Sequence, residues 1–272
     1  MTCSLREIQA VQLGILRECT AICERHGLTY FLAQGTLLGA VRYGGFIPWD
    51  DDIDIIMPAN DLKKFSKYFK AEAPEDLFLE NYHTEEHCPY PWTKIRKHNT
   101  ASIPVKYKDM PVHWGICIDI FPYYPINGSR LGRLSARLCF KTAKKMLGTF
   151  MTPYENDADM ISRAIAVIPG SFRRKAADAA LRLLSRHNSG GEYVLALCKD
   201  GKILKCEWLT GGEEKRLVFE GETFRVPSDY DAFLTEMFGD YMTPPPENEQ
   251  GGHDLKIGDI IWDCEKSYTE FS

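Results

Sequence analysis

Residues 46–58 read FIPWDDDIDIIMP. An apolar, β-branched run at 53–57 carries four acids at its entrance: Asp50, Asp51, Asp52 and Asp54. Such a run predicts a buried strand. On a strand, residues two apart share a face, so Asp52 and Asp54 project together while Ile53 and Ile55 enter the core. Two carboxylates held side by side repel each other, a cost that a bound cation removes. Mg²⁺ is the natural ion, with Mn²⁺ as its substitute, because it takes oxygen ligands and keeps open positions for substrate phosphates. A short acidic run is more often a solvated turn. Here it lies at the mouth of an apolar strand, between Trp49 and Met57, which favours a site.

Upstream, residues 29–33 (TYFLA) predict another buried strand, broken by Gln34-Gly35-Thr36 before a short helix at 37–42 that Gly44-Gly45 ends. A strand that ends in Gly-Thr and opens a helix offers backbone N–H groups and a hydroxyl to a phosphate. Gly35 and Thr36 are therefore candidate phosphate ligands. Downstream, residues 115–121 (GICIDIF) predict a strand with a single acid, Asp119, in an otherwise apolar run. A lone buried carboxylate needs a partner, and Asp119 completes a three-carboxylate set if its strand lies beside 53–57. Strands are also expected at 77–82 and 92–98. On the second, Lys94 and Arg96 share a face and are candidates for phosphate contact, as is Arg42. The competing reading of Lys94 and Arg96 is a solvated strand face.

The rest of the chain frames this core. Ser4 and Glu7 form a capping-box pattern ahead of a helix that Gly27 stops, and Asn60 is placed to cap a helix at 61–70. Residues 129–187 hold 12 Lys+Arg against 4 Asp+Glu and predict two or three helices, whereas 207–272 hold 5 basic against 16 acidic residues. A helical insertion at about 129–190, on one core made of about 1–128 and 191–272, is the expected organisation. In the insertion, Arg130, Arg133, Arg137, Lys141, Lys144 and Lys145 lie on one face and Leu131, Leu134 and Leu138 on another. Two readings stand: an amphipathic helix packed on the core with a solvated basic face, or peripheral docking on an anionic membrane. Strands are expected at 192–198 and 215–226, the latter a hairpin turning at Glu220-Gly221-Glu222, followed by a helix at 230–238 and a Pro/Gly-rich loop at 239–254. In that loop His253 either closes over the site or faces solvent.

The chain has 272 residues, 44% hydrophobic and 26% charged, which are globular proportions. Its net charge of −5 argues against a nucleic-acid partner. No apolar run reaches the ~18 residues needed to span a bilayer. The first ten residues lack a signal-peptide pattern, so a cytoplasmic location is expected, with contact at the inner face of the membrane as a variant. Nine cysteines without CxxC spacing predict reduced, mostly buried thiols. No GxSxG, P-loop or GxGxxG occurs, which argues against serine hydrolase, P-loop kinase and Rossmann dehydrogenase chemistry.

Four stretches together resemble the LicD family of phosphocholine transferases and fukutin-related proteins: FLAQGTLLGAVRYGGFIPWDDDIDIIMP (31–58), WTKIRKHNT (92–100), GICIDIFP (115–122) and FEGETFRVPSDYDAFLTEMFGDYMTPPP (219–246). The resemblance implies an α+β, polymerase-β-like nucleotidyltransferase core: a mixed sheet flanked by helices. It implies transfer of phosphocholine, or a related phospho-alcohol, from a CDP-linked donor (CDP-choline first) to a hydroxyl of a cell-surface glycan, free or lipid-linked. It places the nucleotide-phosphate turn at Gly35 and Thr36, the metal pair at Asp52 and Asp54, and the third carboxylate at Asp119. A choline headgroup calls for an aromatic wall, with Tyr43, Trp49, Trp92, Trp114, Tyr123 and Tyr124 as candidates. The rival readings are a metal-dependent glycosyltransferase, which also uses DxD, and a non-catalytic nucleotide-binding module.

Overall fold

The computed structural model describes residues 3–186, 191–198, 201–246, 250 and 259–271. Helix α1 (Leu5–Arg25) starts at the expected capping box: Ser4 Oγ accepts from the Glu7 N–H at 3.3 Å, and Glu7 Oε2 accepts from the Ser4 N–H at 2.6 Å. After it come β1 (Phe31–Leu32) and α2 (Gln34–Tyr43). Gln34-Gly35-Thr36 is thus the first turn of a helix, not a loop ahead of it. The break expected there is a backbone reversal at Gln34, which sits at φ +48° and swings the chain from strand to helix. Gly44 ends α2 at φ +64°.

The acidic run leads into β2 (Asp54–Pro58), then α3 (Ala59–Glu72). Asp52 therefore precedes the strand, and Asn60 lies inside the first turn of α3 without capping it. Next come β3 (Leu77–Glu80), β4 (Thr93–Lys97), β5 (Ala101–Pro104) and a long β6 (Cys117–Ile126). Three helices follow: α4 (Arg130–Gly148), α5 (Met160–Ala166) and α6 (Gly170–Arg186). The chain closes with β7 (Tyr193–Ala196), β8 (Lys202–Lys205), α7 (Cys206–Thr210), β9 (Lys215–Phe219), β10 (Glu222–Val226), α8 (Tyr230–Phe238) and β11 (Ile260–Asp263). β9 and β10 form the expected hairpin, with Glu220 and Gly221 both at positive φ in its two-residue turn.

The main sheet is mixed and flanked by helices, as an α+β fold requires. Its order is β1-β2-β6-β4-β3, and β7 and β8 extend it from the second half of β6. β2 and β6 run parallel, and the other pairings in this sheet are antiparallel. β5 pairs with β11, a partnership between strands some 160 positions apart that local sequence does not announce.

Helix α4 departs from the expectation that its leucines pack inward. Its buried face is Ala136, Cys139, Phe140, Ala143 and Leu147, which packs with α6 and the second half of β6. Leu131, Leu134 and Leu138 lie on the opposite face, exposed by 79%, 65% and 64%. The helix has two apolar stripes, and only the one rich in small residues fits the close approach of α6. All nine cysteines are free thiols, and six are buried.

Candidate active site

Strand register assembles the site. Asp54 lies opposite Asp119 on the parallel pair, Asp119 opposite Lys94, and Lys94 opposite Glu80. Residues in register point to one face, so four charged side chains form a row across β2, β6, β4 and β3. Their strand neighbours Ile53, Ile55, Ile118, Ile120, Ile95 and Leu79 point the other way and are buried in the core. The hydrophobic alternation fixes which face bears the charges.

Lys94 Nζ reaches Asp119 at 2.6 Å to Oδ1 and 2.8 Å to Oδ2, with both side chains largely buried. Trp92 donates its indole N–H to Asp119 Oδ1 at 3.1 Å. Burial is the largest influence and pulls the Lys94 ammonium down, but Asp119, Cys117 and Tyr90 together outweigh it and hold Lys94 above its ordinary value. Tyr90 completes this corner. Its ring stacks on Trp92 at 4.9 Å and lies 5.0 Å from Lys94 Nζ.

Asp54 is 4% exposed. Burial pushes its carboxyl well above the usual range, and Asp52, Asp119 and Asp50 add to the rise, with Lys94 only partly opposing it. The Asp54 backbone N–H donates to Thr36 Oγ1 at 2.8 Å, which joins the first turn of α2 to the start of β2. Gly35 leaves room for the Asp50 carboxylate: a Cβ there would sit 2.5 Å from Asp50 Oδ2 and push that side chain aside. Asp50, Gly35, Thr36, Asp52, Asp54 and Asp119 therefore share one neighbourhood at the mouth of the parallel strands.

Other expected residues lie elsewhere. Arg96 forms a closed pair with Glu80, both inaccessible, and donates to the Gly115 carbonyl at 2.9 Å. Neither Arg96 nor Lys94 lies on a solvated strand face. Arg42 donates to the Thr243 carbonyl at 2.9 Å, which ties α2 to the segment after α8. Trp49 packs against the core, and His253 falls outside the described residues. Among the aromatic candidates, Trp114 is buried under the Arg96 guanidinium at 5.6 Å, and Trp92 is the one that touches the row.

Four contributors were not among the residues expected from the sequence. Gln9 and Gln12 on α1 donate to the carbonyls of Asp50 and Asp51 at 2.8 and 2.7 Å, and Gln12 also reaches the Cys117 carbonyl at 3.2 Å. They hold the acidic loop against β6. Glu80 and Tyr90 are the others. An acid inside the apolar run LFLENY was a readable cue for Glu80.

The oxygen donors of Asp52, Asp54 and Asp119 suit a hard divalent cation, and the excess negative charge around buried Asp54 would be relieved by one. Among the described residues, however, no three His, Cys, Asp or Glu side chains are gathered as a metal cage. Asp119 is bonded to Lys94 and Trp92.

Residues 27–156, which contain the whole charged row, match the family described as LicD/FKTN/FKRP, nucleotidyltransferase domain. Over those residues the chain is similar to the LicD family. Lipopolysaccharide cholinephosphotransferase LicD of Haemophilus influenzae is 28% identical to it over 95% of this chain and 98% of that protein. Ribitol 5-phosphate transferase FKRP of Homo sapiens is 27% identical over 46% of this chain, which spans 21% of that protein. Mannosyltransferase regulator 4 of Saccharomyces cerevisiae is 33% identical over 28% of this chain and 6% of its own length. Gln9 and Gln12 lie on α1, just ahead of the matched segment.

Proposed function

We propose that this LicD-type chain is a transferase that moves phosphocholine, or a related phospho-alcohol, from a CDP-linked donor to a hydroxyl of a cell-surface glycan. The observation that carries the reading is the placement of Asp54 directly beside Asp119 on parallel strands, with Asp52 and Asp50 close by. The family match and the names of the two transferase relatives support the reaction class. The mixed sheet agrees with a nucleotidyltransferase-type core, which belongs to the same proposal.

Asp52 and Asp54 would hold Mg²⁺ or Mn²⁺. When bound there, the ion supplies positive charge to the donor's phosphate oxygens as negative charge develops on them. The chain's own groups do the rest. The first turn of α2 and the Thr36 hydroxyl, whose proton is still free to donate, face the donor phosphates. Lys94 and the Trp92 indole hold Asp119 in one orientation, and Asp119 accepts the proton of the attacking hydroxyl. The new bond joins the acceptor oxygen to the phosphorus of the substituted phosphate, the bond from that phosphorus to the bridging oxygen breaks, and CMP leaves. A groove of about 1160 Å³ between α3, β3 and α6 includes Phe69, Phe78, Tyr82, Trp92 and Asp178. Through Trp92 it meets the Asp119 corner, which makes it the approach for the acceptor.

The test is CMP release with CDP-choline, CDP-ribitol, CDP-glycerol and nucleotide-sugars, in Mg²⁺ with a mixture of glycan acceptors. CDP-alcohol turnover is expected, and Asp52→Asn and Asp54→Asn should each lower it about 100-fold or more. Near wild-type, metal-dependent release in both variants would remove the carboxylates from the mechanism. Turnover of a nucleotide-sugar would make the chain a glycosyltransferase. Nucleotide binding without turnover of any donor would make it a regulatory module.

A further inference from the structure

Helix α4 presents two stripes to solvent that its packing against α6 does not use. Leu131, Leu134 and Leu138 recur at i, i+3 and i+7, which places them on one line over about 10 Å of helix. They lie opposite the buried face and are each more than three-fifths exposed. Arg130, Arg137 and Lys141 run along one flank of that line and are exposed. Among the described residues these three form no ion pair. The helix holds six basic residues and no acid. Lys145 bonds Asp159 at 2.9 Å and Ser162 at 2.6 Å, which brings the start of α5 against α4. Met160 and Ile161 follow there, exposed by 86% and 66%.

Solitary exposed leucines are ordinary, but an ordered apolar line flanked by unpaired cations is an interfacial pattern. We propose that α4 and the start of α5 lie on an anionic lipid surface, the leucines entering the boundary between headgroups and acyl chains and the cations meeting the lipid phosphates. Charge decides between occupants. A second copy of this chain would set the same basic stripe against itself and be repelled, whereas an anionic bilayer is complementary to both stripes. No helix among the described residues is long and apolar enough to cross a membrane, so this contact is peripheral. The proposal does not depend on the transferase reading, because none of its residues belongs to the charged row.

The test is sedimentation of the full chain with phosphatidylcholine vesicles, with and without phosphatidylglycerol, at low and high salt. Binding is expected to the anionic vesicles only and to be released by salt. Arg130→Gln with Arg137→Gln and Lys141→Gln should lower partitioning about 100-fold, since each cation near such a surface contributes about fivefold. Leu131→Ser with Leu134→Ser and Leu138→Ser should also release the protein while leaving its melting temperature unchanged, because these side chains are already in water. CMP release with a soluble acceptor should be unaltered in both variants, which separates loss of docking from loss of catalysis. Absence of binding to anionic vesicles at low salt overturns the proposal, as does binding by both variants equal to that of the wild type. A dimer dispersed by the leucine substitutions, without vesicle binding, assigns the face to self-association and overturns it as well.

Discussion

The charged row has two ends built from the same kinds of residue and buried to a similar depth. At one end Glu80 meets Arg96, whose guanidinium also reaches the Gly115 carbonyl, so one negative and one positive charge are enclosed together. At the other end Asp54 and Asp119 meet Lys94, with Asp52 and Asp50 close by. The first end is an enclosed ion pair. The second gathers several carboxylates around buried Asp54, and it is where the proposed cation would sit. Burial alone does not distinguish the two ends; the number of neighbouring acids does.

The largest expected effect breaks the balanced end. Glu80→Gln leaves the Arg96 guanidinium buried without its counter-charge and should cost about 3–5 kcal/mol in urea unfolding. A loss below about 1 kcal/mol would mean that the two ends do not differ in the way described. Next, Trp92→Phe keeps the ring but deletes the N–H that holds Asp119. It should slow CMP release about tenfold, the worth of one hydrogen bond to a charged group, with little change in stability. An unchanged rate would take Trp92 out of the positioning of Asp119.

The smallest effect has the opposite sign to the first. Burial and neighbouring acids raise the Asp54 carboxyl in the folded chain, so the neutral form is favoured there. Its contribution to stability is complete below the ordinary carboxylate range and is lost as pH rises through the raised value. At pH near 8 without divalent ions, Asp54→Asn should therefore raise Tm by about 2–4 °C, the shift that ~1 kcal/mol makes in a chain of this size. Millimolar Mg²⁺ should raise the wild-type Tm at that pH more than near pH 5, and should do little for the variant. A drop in Tm for Asp54→Asn would place Asp54 at a balanced site like that of Glu80.

Much of the site was readable before any coordinates. The apolar runs around Asp54 and Asp119 identify two strands that each carry one acid on the polar face, because alternation leaves no other arrangement. The Glu220-Gly221 hairpin is a local backbone requirement and stands where local sequence puts it. Arg96 was not readable in the same way. Its alternation with Lys94 is correct, yet its partner comes from β3, and a strand does not reveal what its neighbour offers. The same holds for Asp119, whose partners Lys94 and Trp92 come from β4 and the residue just before it. The leucines of α4 were legible as a stripe, but which of two stripes α6 would cover depended on the distance of approach, which favours alanine and cysteine over leucine.

By itself the amino-acid sequence determined the elements, the polar and apolar faces of the strands, and the stock of carboxylates, because these follow from periodicity and residue chemistry over a few positions. Only the tertiary structure decided that β2 runs parallel beside β6, that one basic residue of β4 faces an acid of the site while the other is enclosed with Glu80, and that α1 secures the acidic loop through Gln9 and Gln12. Those outcomes depend on strand order and register, which are set by how the whole core packs and not by any single stretch of chain.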